Sequence, residues 1–300
     1  MAIGKAFQQV DFVGRWRIWF ALSGILLLAG VAAIALGNLN LGIDFQGGAK
    51  FTASNPSRQL SVTQVKQALP EKFRQDSVVQ QAGKGYEIRT PVLTQKESSQ
   101  VRDSLGKALG SEMSVTNISP TFGGQVRNQA LQAVVAALLI IVVFISIRFE
   151  LAFAMAAMVA LVHDILMTIG FYAIWGREVN LVTVVAVLTI LGYSLYDTII
   201  IFDRIRENAP SIGYNRRRFD DMINSSIRQV VTRSIYTSVS TLIPITALLI
   251  FGESTLSDFA FALLVGILAG TYSSIFIASP VLSLYKAWRS GKGRRAPQRA

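Results

Sequence analysis

Six apolar runs, each long enough to cross a bilayer as a helix, constrain this chain more than any other feature. A hydrocarbon core of about 30 Å takes about 20 apolar residues in a helix, and only a segment that satisfies its own backbone groups can cross it. The runs are 18–37, 128–147, 151–174, 181–202, 234–251 and 259–285, with a long polar stretch over 38–127 after the first. Composition agrees: of 300 residues 51% are hydrophobic, the mean hydropathy is +0.44 and only 16% are charged. A soluble domain carries about a quarter charged residues, so much of this surface is expected to face lipid.

Six spans put both termini on one side, and the bases say which side. Cytoplasmic flanks retain Lys and Arg. Lys5, Arg15, Arg17 and Arg148 flank the even-sided ends, 203–233 holds seven arginines, and the tail has Lys286, Arg289, Lys292, Arg294, Arg295 and Arg299. The opposite turns, 175–180 and 252–258, hold Arg177 against Glu178, Glu253 and Asp258. The expected layout is a cytoplasmic N-terminus and first span over 1–37, a periplasmic domain over 38–127, spans 2–6 over 128–285, and a basic cytoplasmic tail over 286–300. The segment 203–233, with Arg216–Arg218 beside Asp220 and Asp221, reads as an amphipathic helix lying at the cytoplasmic surface. The net charge of +11 is concentrated in these flanks, which fits retention at an anionic membrane face and not nucleic acid. Ala33-Ile34-Ala35 resembles a signal-peptidase site, but the preceding apolar run is longer than a signal core.

Several chemistries are excluded early. The chain has no cysteine and a single histidine, His163, so disulfides, thiolate nucleophiles and Cys- or His-rich metal sites are not expected. It has no phosphate-binding G-x-x-x-x-G-K-[ST] loop. No cofactor, metal or enzymatic activity is expected.

The polar stretch alternates between strand and helix periods. Residues 49–54 read as a strand and 61–69 as a helix capped by Ser61. Residues 77–82 and 86–90 form a hairpin around Gly83-Lys84-Gly85, 94–109 a helix with Thr94 and Glu97 as a capping box, and 113–119 a last strand. The order βαββαβ predicts a ferredoxin-like α+β domain between spans 1 and 2. It supplies no convergent catalytic set; Lys66, Lys72, Arg74 and Lys96 read as a solvated surface.

Of eighteen acidic residues, Asp164 and Asp197 lie well inside apolar spans. An intramembrane carboxylate is costly and therefore a functional candidate. Asp197 stands among Tyr193, Ser194, Tyr196 and Thr198. Asp164 follows His163, and adjacent helical residues diverge by about 100°, so these two are not expected to face each other. Arg233 opens the fifth span, followed by Ser234, Thr237, Ser238, Ser240 and Thr241, with Pro244 interrupting the backbone ladder. These hydroxyls read equally as a relay or as glue between helices. Gly266 and Gly270 read as a close-packing face.

Gly42-Ile43-Asp44-Phe45-Gln46-Gly47-Gly48 resembles the signature that follows the first span in the SecF family, the SecF half of the bacterial SecD–SecF protein-export complex. Ser119-Pro120-Thr121-Phe122-Gly123-Gly124 is similar to a second family stretch, departing from it at Ser119 and Phe122. Leu161–Asp164, Tyr193–Thr198 running into Phe202–Asn208 with Arg204, and Arg233-Ser234 with Thr237-Ser238 follow in order. The resemblance implies half of a resistance-nodulation-division-like bundle of twelve helices completed by SecD, expected as a separate chain since nothing precedes Met1. It implies use of the proton gradient to pull unfolded polypeptide from the SecYEG channel. It places the proton-relay carboxylate at Asp197 with Arg233 as its basic partner, says less of Asp164, and leaves Ser194, Thr198, Thr237 and Ser238 as relay support. It also marks Gly42, Asp44, Gly47, Gly48 and Arg204 as structural. Partners are then SecD, SecYEG, the translocating polypeptide and lipid; the location is the inner membrane. The competing readings are half of a proton-coupled small-molecule exporter, a scaffold without transport, and an intramembrane protease, for which the flanking motifs are missing.

Overall fold

A computed structural model describes residues 7–82, 84–209, 216–252 and 254–293. The hairpin tip at Gly83, Lys5, Glu253, residues 210–215 of the basic segment and the tail arginines Arg294, Arg295 and Arg299 lie outside the described residues.

The first apolar run is helix α1 (Trp16–Ala35). A two-residue strand β1 (Asn40–Leu41) and a short helix α2 (Ile43–Gln46) lead into β2 (Gly48–Ala53). Then come α3 (Val62–Ala68), α4 (Glu71–Arg74), β3 (Val78–Ala82), β4 (Gly85–Thr90), α5 (Gln95–Leu109) and β5 (Ser114–Ile118). Local chemistry sets these bounds. Ser61 and Gln64 form a reciprocal capping box at α3, and Thr94 and Glu97 form another at α5. Lys72 Nζ reaches Glu97 Oε1 at 2.6 Å, and this hydrogen bond is the largest influence holding the Glu97 carboxyl at about 2.

The four strands lie in the order β3-β4-β2-β5, every neighbouring pair antiparallel. Strand alternation sends Ala49, Phe51, Ala53, Tyr86 and Ile88 toward the helices, where they pack with Val65, Leu69, Val101 and Leu105. The opposite face carries Lys50, Glu87 and Arg89. Glu87 and Arg89 are buried as well, and Arg89 meets Glu178 of the bundle there.

The bundle continues with α6 (Pro120–Arg148), α7 (Leu151–Trp175), a two-residue strand β6 (Glu178–Val179), α8 (Leu181–Asn208) and α9 (Arg216–Phe251). It ends with α10 (Ser254–Ser273), which passes through a π turn (Ser274–Ala278) into α11 (Ser279–Gly293). Six helices among the described residues are long and apolar enough to cross a membrane, one for each run. The spans of α7, α8 and α10–α11 are the most buried and form the centre; α1, α6 and α9 surround them. Small residues set the closest crossings. Gly30 of α1 meets Gly170 of α7 backbone to backbone, Gly266 packs on Ile190, and Gly270 on Ser194.

Two expectations need correction. Helix α6 starts at Pro120, N-capped by the Ser119 hydroxyl, so 120–127 is helix rather than part of the domain. Residues 203–233 are not a separate surface helix. Residues 203–208 complete α8, and α9 runs unbroken from Arg216 through Pro244. Its apolar face, Phe219, Met222, Ile223, Ile227 and Val231, is buried against Phe12, Phe149, Phe202 and Leu282. The hydrophobic face found a packed core to bury it, which gains more than a lipid surface shared with water.

Candidate functional site

The polar groups of the spans converge at the middle of the bundle. Helix α8 presents Ser194, Asp197 and Thr198 at i, i+3 and i+4, and all three are buried. From α7 comes Asp164, 0% exposed, which accepts hydrogen bonds from the Ser194 hydroxyl at 2.6 Å and the Ser273 hydroxyl at 2.9 Å. Its other oxygen lies 3.0 Å from His163 Nδ1, and His163 Nε2 lies 3.0 Å from the Ser23 hydroxyl on α1. The expectation that His163 and Asp164 cannot meet is therefore wrong. Their Cβ directions diverge, but χ rotation of a ring and a carboxylate brings the side-chain tips together across that angle. The Tyr272 ring stacks over His163 at 6.2 Å.

Asp197 contrasts with this fully partnered carboxylate. It is 1% exposed, and neither carboxylate oxygen has a hydrogen-bond partner in the protein. Its polar neighbours are Ser234, whose hydroxyl is also without a partner, and Arg233. Arg233 does not close an ion pair with it. Its guanidinium is exposed and donates to the Tyr196 hydroxyl at 3.0 Å. An unpaired charge in such a place costs several kcal/mol.

Hydroxyls line the space between and beyond the two carboxyls. Thr198 donates to the Ser194 carbonyl and lies 2.8 Å from the Ser274 hydroxyl. Ser238 lies 2.6 Å from the Thr271 hydroxyl, and Tyr193 reaches Ser238 and Thr241 at 3.4 and 3.5 Å. Thr237 bonds only back to its own helix, at the carbonyls of Arg233 and Ser234. Of the proposed support, Ser194 and Thr198 thus join the carboxylate cluster, Ser238 bridges helices, and Thr237 serves α9 itself. The π turn begins at Ser274, beside the cluster, and a π turn inside a helix often marks a functional position.

Ser23, Thr271, Ser273 and Ser274 were not singled out in the sequence. Ser23 carried a faint signal as the one hydroxyl in the first apolar run. Among the described residues no group of three or more His, Cys, Asp or Glu is arranged to hold a metal ion.

The glycine-rich stretch after α1 has a visible purpose. Gly42 lies against the Glu178 carboxylate, and Asp44 accepts the Leu181 N–H at the start of α8 at 3.1 Å. Gly47 and Gly48 adopt φ of +78° and +132°, which side chains resist. A Cβ on Gly47 would strike Pro120 and one on Gly48 the Thr90 carbonyl. At the other end Arg204 hydrogen-bonds Gln229 and pairs with Glu207, tying α8 to α9.

Comparison with known proteins follows the same lines. Residues 100–288 match the family described as protein export membrane protein SecD/SecF, C-terminal. The protein translocase subunit SecF of Thermodesulfovibrio yellowstonii is 38% identical over 293 residues, 94% of this chain and 96% of that one. The subunit of the same name from Streptomyces coelicolor is 37% identical, over 91% of this chain and 76% of that one. Among solved structures, SecDF from Thermus thermophilus, described as a translocon-associated membrane protein, superposes with a TM-score of 0.86 at 31% identity over 93% of this chain. SecDF in a super-membrane-facing form gives 0.71 at 30% identity over 96%. This chain spans 39% and 40% of those two SecDF chains. The chain belongs to the SecF family of protein translocase subunits.

Proposed function

We propose that the chain is a proton-motive-force-driven accessory subunit of protein translocation. It acts with SecD to complete export of unfolded polypeptide through the SecYEG channel. In this reading it is a multi-pass inner-membrane protein with cytoplasmic termini, and residues 38–119 form a periplasmic ferredoxin-like domain. The strand order β3-β4-β2-β5 supports that description of the domain. The base-rich ends of the helices support the orientation.

One observation carries the mechanism: Asp197 is buried at the α8–α9 contact with both carboxylate oxygens unpartnered. A proton bound there cancels the charge and removes its pull on the guanidinium of Arg233, so α8 and α9 settle into a different packing. Loss of the proton restores that pull. Asp164 and its hydroxyl partners lie on the same side of α8, one turn away through Ser194, and are the adjoining relay station. An exposed polar strip, Thr189, Gly192 and Tyr196 on α8 with Arg233, Tyr236 and Ser240 on α9, remains uncovered within the chain. Polar groups at membrane depth are held against protein rather than lipid, and SecD is the partner assigned to that strip.

The test is export by reconstituted vesicles containing the complete complex under an imposed proton gradient. Asp197→Asn is expected to abolish the gradient-dependent part while leaving complex assembly intact. Normal gradient-driven export by Asp197→Asn refutes the reading.

A further inference from the structure

The sheet face of the outer domain meets the bundle at one small place, and the charges there are organised. Arg89 of β4 and Glu178 of β6 form an ion pair at 3.1 Å with side chains 8% and 6% exposed. Arg89 Nε and Nη2 are buried with no other hydrogen-bond partner in the protein. Lys50 and Glu87, beside Arg89 on the sheet, pair at 3.7 Å. On the bundle side Arg177 pairs with Asp258 of α10 at 2.6 Å, and Tyr172 donates to the Asp258 carbonyl. A polar cavity of about 360 Å³ opens among these groups, lined by Gln80, Glu87, Arg177, Glu178 and Asp258.

Glu178 sits in the five-residue turn that joins α7 to α8, and three other attachments converge on that turn. Strand β1 pairs in parallel with β6, Asn40↔Glu178 and Leu41↔Val179. The Asn40 amide donates to the Gly176 carbonyl at 2.8 Å, and the Asp44 carboxylate caps the first N–H of α8. Asn180 and Thr183 then close a capping box. The turn is therefore stiffly continuous with α8, the helix that carries Asp197, and the domain is gripped at its near end.

We propose that the Arg89–Glu178 pair is the joint through which displacement of α8 reaches the outer domain. This role rests on the reading of Asp197 given above for its driving force, but the joint itself stands on geometry. The charged groups that face Glu178 are Arg89, Lys50 and Glu87 from the sheet and Asp258 from α10, with Arg177 behind Asp258. Arg89 is the one among them that contacts it as an ion pair. Breaking that contact releases the sheet from the turn, while β1, Asn40 and Asp44 still hold the near end of the domain to it.

The chain contains no cysteine, so spin labels at Gln100→Cys on α5 and Val31→Cys on α1, both exposed and away from the α8–α9 strip, report the domain–bundle distance in the complete complex. Wild type is expected to give one narrow distance. Arg89→Ala and Glu178→Ala each lose that peak to a broad distribution, the double variant is no broader than either, and gradient-driven export falls with the peak. The conservative Arg89→Lys and Glu178→Gln, which keep a donor and an acceptor and guard against misfolding, retain both. A native peak in Arg89→Ala and Glu178→Ala overturns the proposal, and so does full export by variants that have lost the peak. If Asp197→Asn exports normally while the joint variants do not, the relay reading falls and the joint stands.

Discussion

Burial pushes the Glu178 carboxyl up to about 7 from 4.5, against the opposing pull of Arg89 and Lys50. The group lies outside the spans, in the turn joining α7 to α8. Its pKa is raised in the folded, docked protein. The docked form therefore binds a proton more tightly than the undocked one, the neutral carboxyl still accepting from Arg89 at the same contact, and the contribution is fully present below pH 4.5. It is lost as pH rises through about 7. Moving from 4.5 to about 7, at about 1.4 kcal/mol per pH unit, amounts to on the order of 3 kcal/mol. The assay is amide hydrogen exchange in β1 and β6 of the intact protein in detergent or nanodiscs, corrected for the intrinsic pH dependence of exchange. Protection of these strands should fall between pH 4.5 and 7.5 in wild type. In Glu178→Gln, which keeps the shape and an acceptor for Arg89 but cannot titrate, the slope should vanish. An unchanged slope in Glu178→Gln refutes the argument, since another group would then be responsible.

Other outcomes follow from packing and capping. Gly30→Ala places a Cβ about 2.7 Å from the Gly170 backbone, which cannot yield as a side chain can, so thermal denaturation should show a loss of about 1–3 kcal/mol. Gly24→Ala, with open space, should be near neutral and serves as its control. Thr94→Ala should cost about 1 kcal/mol, seen as lost exchange protection in the first turn of α5. The Glu97 carboxylate in the same box is held at about 2, so its contribution is present above pH 4.5 and disappears only as pH falls through about 2. Ser23→Ala removes the partner of His163 Nε2 and should loosen α1 from α7, measured as faster exchange in α1, without abolishing assembly.

Element type was readable because the signals are local. A run of twenty apolar residues, a Ser61 or Thr94 cap three residues before Gln64 or Glu97, and a hairpin's glycines each declare themselves within a few positions. The two intramembrane aspartates were readable for a related reason, since charge inside an apolar run stands out against its background. Contacts between distant segments left no such trace. Nothing near Arg89 announces Glu178, 89 positions later, and Ser273 looks like any hydroxyl in a span until it is seen on Asp164. The charges of Arg216–Arg218 and Asp220–Asp221 suggested a helix floating at a surface, whereas the apolar side of the same helix, Phe219 to Val231, decided its place. The pairing of Asp197 with Arg233 came from family resemblance, and here Arg233 turns to Tyr196 instead.

The central claim is that Asp197 gains and loses a proton while held inside the bundle. Infrared difference spectroscopy of the reconstituted complex between acidic and alkaline pH reads the carboxyl stretch directly. A band that titrates in wild type and in Asp164→Asn, and is missing in Asp197→Asn, is the predicted result. An identical titrating band in Asp197→Asn would contradict the account.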